Sequence, residues 1–181
     1  MMKLNRRKFL VLIPASFIAL WTGWFFRPID EEGFQVTWNG ERATTVDVAK
    51  YRLKVNGDVP NPIELKLEDL YAQSRVQKVI KIQCDEGWEA NVRWEGIPIS
   101  SLISRAGGSL QNIAHVTITG VTGYSRILNS DEIRNPDFMI AIMAGGTPLT
   151  VDHGYPARLV APTRPGLDWV KYVTSITCTN S

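Results

Sequence analysis

Two cysteines and two histidines are the whole stock of thiols and imidazoles in this 181-residue chain. Cys84 closes the alternating run Val79-Ile80-Lys81-Ile82-Gln83, and the polar turn Asp85-Glu86-Gly87 follows it, with Trp88 and Trp94 beyond. A strand that hands a thiol to a loop between aromatic side chains suits a soft-metal ligand, because thiolate is the side chain such metals select. The same placement suits a small buried hydrophobe, the commoner fate of a free cysteine. Cys178, close to the end of the chain, is either a structural thiol or the partner of Cys84 in a disulfide that an oxidising compartment permits. The count is too low for a four-ligand Cys/His zinc cage, and the absent C-x-x-C spacing excludes a thioredoxin-type redox motif.

Cys84 has to be positioned by a β-rich framework. Tyr51-Arg52-Leu53-Lys54-Val55 alternates strictly, Ile63-Glu64-Leu65 resumes an extended run, and His115 to Thr119 alternates again. Phe138 to Met143 is continuously apolar and predicts a fully buried strand; Arg158-Leu159-Val160-Ala161 predicts another between prolines, and Trp169 to Ile176 alternates. Short helices are predicted over Leu67 to Gln73, from Ser100 or Ser101 to Ala106, and from Ser130 to a stop at Asn135-Pro136. Glu95-Gly96 reads as a turn, and Gly120 to Arg126 as a loop. Many short strands with few short helices predict a β-rich α+β fold, barrel-like or sandwich-like.

Charge is unevenly placed. Lys3, Arg6, Arg7, Lys8 and Arg27 precede the first acid, Asp30; of 20 basic and 18 acidic residues this leaves 15 and 18 beyond, a net of −3. A mildly acidic globular part argues against nucleic acid, which rewards a basic face. Asn5-Arg6-Arg7-Lys8-Phe9-Leu10 resembles a twin-arginine export signal. Phe9 to Phe26 is free of charge and about long enough to span a bilayer. No small-x-small cleavage pattern follows, so the reading is an uncleaved anchor. It keeps Lys3 to Lys8 in the cytoplasm, puts Trp21 and Trp24 at the outer interface, and leaves the rest on the periplasmic side of the inner membrane. The division expected is an anchor over 1–29, a polar lead over 30–50 in which Phe34 to Trp38 and Asn39-Gly40 signal a hairpin, and a domain over 51–181.

Three patterns in order carry a family resemblance: Cys84-x-Glu86-x-Trp88 with Trp94-x-Gly96-x-Pro98, then His153-Gly-x-Pro-x-Arg158-Leu-Val-x-Pro162, then Trp169-Val-Lys171-x-Val173-x-x-Ile176. Together they resemble the oxidoreductase molybdopterin-binding domain of the sulfite oxidase superfamily. The branch that looks nearest is the catalytic subunit of the periplasmic methionine sulfoxide reductase. The resemblance implies a sulfite-oxidase-type fold with mixed sheets or a barrel, and a Mo–molybdopterin cofactor whose metal takes the Cys84 thiolate. It implies that His153, Arg158, Trp169, Val170 and Lys171 hold the pterin and its phosphate, with Thr119 as a further contact. Arginine and lysine are suitable types, since a phosphate needs a fork donor or a point charge. Read without the resemblance, His153 is equally a surface turn, Lys171 a solvated edge charge, and Arg158 an arginine that must find a partner in an apolar strand.

The resemblance further implies oxygen-atom or electron transfer with a small substrate, and a haem or other electron-transfer partner in the membrane. The arginine pair that follows the metal cysteine in sulfite oxidases is replaced here by Asp85-Glu86-Gly87-Trp88, which disfavours sulfite as substrate. No match to the family's Asn-rich pterin loop precedes Tyr51. Two rival readings therefore stand beside the enzyme: a cofactor-free binding or assembly module that keeps the fold, and an envelope domain stapled by a Cys84–Cys178 disulfide.

Overall fold

Alternation along the strands sorts apolar side chains onto one face, and the fold follows from pairing those faces. The computed structural model describes residues 43–181. The twin-arginine stretch, the apolar run Phe9 to Phe26 and the hairpin signal at Phe34 to Gly40 lie outside the described residues. Among the described residues no helix is long and apolar enough to cross a membrane.

The first sheet contains β1 (Leu53–Gly57), β2 (Ile63–Leu65), β5 (Ile113–Gly120), β6 (Ser125–Asn129) and β10 (Val173–Asn180), in the order β2-β1-β10-β5-β6. Its one parallel pairing, β1 with β10, joins the two ends of the described domain through Val55 and Ile176. The second sheet contains β3 (Val76–Gln83), β4 (Glu89–Pro98), β7 (Met139–Ala144), β8 (Thr147–Pro148) and β9 (Arg158–Val160). Its path is β3-β4-β7-β8, with β9 on the other edge of β7. Both sheets are open, which corrects the barrel expectation: each ends on edge strands instead of closing on itself. Leu53, Val55, Val116, Ile118 and Ile176 of the first sheet share one apolar cluster with Ile82, Val92, Trp94 and Ile140 of the second. Burial of each such side chain contributes about 1.5–3 kcal/mol.

Among the described residues three short helices fill the connections: α1 (Leu67–Ala72), α2 (Ile99–Arg105) and α3 (Ser130–Arg134). α2 starts at Pro98 and not at a serine cap, because the Ile99 N–H donates to the Phe138 carbonyl at 3.1 Å. α3 has a reciprocal cap: Asn129 Oδ1 accepts from the Asp131 and Glu132 amides at 3.0 Å each, and Glu132 Oε2 accepts from the Asn129 amide at 2.8 Å.

Three local expectations change. Glu95 and Gly96 lie inside β4, where a bulge between them keeps the strand going. The expected loop from Gly120 to Arg126 gives way at Ser125 to β6. The strand expected from Trp169 begins only at Val173, because a 3₁₀ turn (Gly166–Asp168) precedes Trp169 and Tyr172 sits at φ 52°. The end of the polar lead is packed onto the domain: Val46 and Val48 lie against the core, and the Thr44 amide donates to Tyr172 Oη at 3.3 Å.

Gly96 sets the spacing of β4 and β7. A Cβ there would fall 2.3 Å from the Ile140 carbonyl oxygen and 2.6 Å from Ala141 Cα, both backbone atoms that cannot step aside. Gly96→Ala is therefore expected to lower stability by about 1–3 kcal/mol, read as a lower denaturant midpoint. An unchanged midpoint would show that the strands are not in this close contact.

Candidate functional site

The β3–β4 hairpin delivers the thiol. Even-numbered residues of β3 and β4 turn inward, so Ile80, Ile82, Ala90, Val92 and Trp94 are buried, and Cys84 continues that face one step past β3. The turn closes by Cys84 N–H donating to the Trp88 carbonyl at 2.9 Å and Gly87 N–H to the Cys84 carbonyl at 3.0 Å. Gly87 takes φ 91°, open to glycine at no steric cost. Cys84 is buried yet stands outside the contiguous apolar cluster, with Sγ 3.9 Å from Glu86 Oε2. Cys178 is inside that cluster, on β10 of the other sheet. Both thiols are free, which corrects the disulfide reading.

A second constellation forms around residues 150–158. Three successive carbonyls there each accept from a side chain farther along: Val151 from Tyr172 Oη at 2.8 Å, Asp152 from Lys171 Nζ at 2.8 Å, and His153 from Arg158 Nη1 at 3.2 Å. Gly154, at φ 98°, is where these residues crowd: a Cβ would meet Lys171 Cβ at 3.0 Å and Arg158 Cβ at 3.2 Å. His153 Nδ1 lies 2.8 Å from Thr150 Oγ1, and its amide donates to the Thr150 carbonyl at 3.1 Å. Lys171 is 2% exposed, so it is not the solvated edge charge that the bare sequence allowed, and Arg158 is fully buried.

The Arg158 guanidinium lies 5.2 Å from the Trp94 ring centre and 5.7 Å from that of Trp169. The two indoles are 5.6 Å apart at 57°. Cation–π attraction strengthens when such a pair is desolvated. Val170 is core, and contributes its carbonyl to the Leu159 amide at 2.8 Å. His153, Arg158, Trp169, Val170 and Lys171 are thus brought together. Thr119 is not on that face: its side chain is on the opposite side of β5 from Val116 and Ile118, in a row with Ser175 and Ser125. Cys84 and Trp94 share a face of the hairpin, but Cys84 is six residues beyond Lys78, the partner of Trp94. That is at most about 20 Å along a straight strand. A cleft of about 490 Å³ between Arg52, Lys54, Glu64, Thr174 and Ser175 contains none of the candidate residues.

The sequence reading missed the charged network that holds the chain before Trp169. Arg164 donates to Glu132 through Nε at 2.6 Å and Nη2 at 2.8 Å, and to the Ile127 carbonyl at 2.8 Å. Asp168 accepts from Arg126 Nε at 2.6 Å. No local pattern marks these pairs, since the partners lie far apart in the chain. Burial alone pushes the Glu132 carboxyl up, but hydrogen bonds from Arg164 and the Asn129 amide and the Arg164 charge outweigh it and hold the group below its usual value.

With the geometry in place, comparison with known proteins is informative. A family model described as "Oxidoreductase molybdopterin binding domain" matches residues 39–181. A putative protein-methionine-sulfoxide reductase subunit YedZ1 of Azospira oryzae is 27% identical over 148 residues, which is 82% of this chain and 56% of the relative. The protein-methionine-sulfoxide reductase catalytic subunit MsrP of Xanthomonas campestris is 27% identical over 161 residues, 81% of this chain and 50% of the relative. The chain thus spans about half the length of these curated relatives. The crystal structure of the sulfane dehydrogenase SoxCD from Paracoccus pantotrophus superposes with a TM-score of 0.71 at 27% identity, over 86% of this chain and 46% of that one.

Two pH responses follow from the site. The folded Glu132 carboxyl titrates lower than the unfolded one, so its stabilisation is full above the ordinary carboxylate range and is lost as pH falls through the depressed value. Glu132→Gln is expected to flatten the acid limb of stability against pH, and an unchanged limb would refute the pairing. Burial, with Asp58 nearby, pushes the Cys178 thiol up to about 11. Stability should therefore decline as pH rises from about 9 to about 11, and Cys178→Ala should remove that part of the decline. Alkaline denaturant titrations of the two proteins check it; parallel curves would count against it.

Proposed function

The chain belongs to the oxidoreductase molybdopterin-binding domain family, with a β-rich sulfite-oxidase-type fold, and on that premise we propose that it is the cofactor-holding part of an exported oxidoreductase. The observation that carries the proposal is the free Cys84 thiol, buried on a hairpin turn and set apart from the apolar core. That donor fits the group. A thiolate suits molybdenum in this setting, and the positive metal centre would keep it deprotonated. Arg158 and Lys171 fit as a pair of buried positive charges for the phosphate end, with His153 beside them and Trp169 and Val170 fixing the chain between. Thr119 fits less well, since its hydroxyl is on the far side of β5.

When bound, the Mo–molybdopterin supplies two-electron oxygen-atom transfer, the chemistry the fold leaves to the cofactor. The chain's own residues do the rest. Cys84 would hold the metal. Trp94 and Trp169 keep water from the Arg158 guanidinium, which raises its electrostatic reach. The Glu86 carboxylate, 3.9 Å from the thiol, repels an oxyanion such as sulfite and leaves a neutral sulfoxide as the favoured substrate class. Relatives named as methionine sulfoxide reductase subunits support that class. The twin-arginine pattern supports export after folding, the apolar run supports a membrane anchor, and a haem protein of the membrane is the proposed electron partner. A cofactor-free binding module is the second reading, favoured by one observation: Arg158 and Lys171 donate to the carbonyls of their own loop.

Molybdenum and pterin analysis of the chain purified from its native host separates the two. Near-stoichiometric metal that disappears in Cys84→Ser is the expected result. A metal-free wild type without oxidised-pterin fluorescence would sink the enzyme reading. Retention of the cellular phenotype by Cys84→Ser would favour the binding module.

A further inference from the structure

Arg164 has no part in holding metal or phosphate in the reading above, yet the segment it belongs to ends at Trp169. Its guanidinium grips both oxygens of Glu132, at 2.6 and 2.8 Å, and the Ile127 carbonyl of β6 at 2.8 Å. Its Nη1 is 3.7 Å from Asp168, which is itself held by Arg126. Tyr124 Oη adds a third tie, donating to the Leu167 carbonyl at 2.8 Å. The turn from Pro162 to Asp168 is thereby docked on β6 and α3. The Arg164 carbonyl in turn accepts the Trp169 Nε1 hydrogen at 3.0 Å. One residue thus couples an ion pair at the rim to the indole that walls the buried Arg158.

The strength of the grip supports this. A surface ion pair contributes little, but this one is a bidentate arginine–carboxylate fork with both side chains largely covered, 22% and 13% exposed. Such forks are the stronger and more directional class. Pro165 fixes one φ between Arg164 and Trp169, and the 3₁₀ turn Gly166–Asp168 orders the rest of that segment.

We propose that Arg164 is a positioning residue for the cofactor clamp: by docking the 162–168 turn it sets the Trp169 indole and, through that ring, the Arg158 guanidinium. The clamp role of Arg158 rests on the function proposed above, so the test has an arm independent of it. Two indoles at 5.6 Å and 57° couple as an exciton pair in far-ultraviolet circular dichroism. The signal is read in the full chain stripped of cofactor, with Trp169→Phe as its zero. Arg164→Ala is expected to lose most of the couplet, and protein from the native host to retain several-fold less molybdenum than the wild type. Arg164→Lys, which lacks the fork, should not restore either. Glu132→Gln keeps an acceptor for the Asn129 amide but drops the charge; it should show a smaller loss of both signals, and it decides the matter if Arg164→Ala does not fold. A wild-type couplet in Arg164→Ala, or in Glu132→Gln where the former does not fold, overturns the proposal. So does a lost couplet with undiminished molybdenum. A wild-type chain that carries no molybdenum sinks the preceding reading and the clamp role with it, while the couplet still decides whether Arg164 sets Trp169.

Discussion

Arg158 has no exposed surface, and taking a guanidinium out of water costs several kcal/mol unless the surroundings replace its hydration. Much of the second sheet and the loops around it supply that replacement. β4 brings Trp94 to one side, the chain after the 3₁₀ turn brings Trp169 to another, and the 150–158 loop bends so that the His153 carbonyl faces Nη1. Lys171 imposes the same demand a few ångströms away and meets it with the Asp152 carbonyl. Both cations thus donate to carbonyls of one glycine-containing loop.

The framework that makes this possible is simple. Strands β1 and β10 pair in parallel at the centre of one sheet, so the residues near the two ends of the domain are tied to each other. β10 begins directly after Lys171 and Tyr172, and Tyr172 in turn bonds the Val151 carbonyl and receives the Thr44 amide. The cation-bearing segment is therefore anchored to the first sheet on one side and to β7 through β9 on the other. The thiol sits on a separate arm, the β3–β4 hairpin, whose inner face runs continuously from Trp94 to Cys84. The proposed cofactor would have to reach from Cys84 on that arm to Arg158, which lies beside Trp94 at the other end of its inner face.

The family pattern in the chain is a pattern of stations, and the departures lie between them. Glu86 stands where an oxyanion-binding enzyme would want a cation. Arg164, Asp168, Arg126 and Glu132 replace nothing in the recognised motifs; they hold the turn on which Trp169 hangs. The proposed chemistry would rest on few residues, and the turn that leads to Trp169 is held by a charged network at the rim.

Much was legible from local pattern alone. Period-two alternation located β1, β2 and β5, because one buried face per strand leaves its mark on every second residue, and an unbroken apolar run located β7, which is buried on both faces. α1 was visible in the apolar spacing of Leu67, Leu70 and Tyr71, α2 in a serine at its start and Gly107-Gly108 at its end, and α3 in the stop at Asn135-Pro136. Cys84 stood out by its place after a strand, and His153, Arg158 and Lys171 by motif. β4 and β6 were missed, since Glu95-Gly96 inside β4 and Ser125 at the start of β6 are turn-like residues, and β4 is continued past its bulge by pairing with the remote β7. A closed barrel was not excluded, because closure depends on which edges meet and no single strand encodes that. Residue types and the order of motifs in the chain determined what chemistry this domain can host. Only the tertiary structure decided that Arg158 lies between two indoles, that Lys171 is buried, that Cys84 and Cys178 occupy different sheets, and that Arg164 grips Glu132. Each of these is set by sheet register and the shared core, which depend on residues distant in sequence, and a local window carries no record of it.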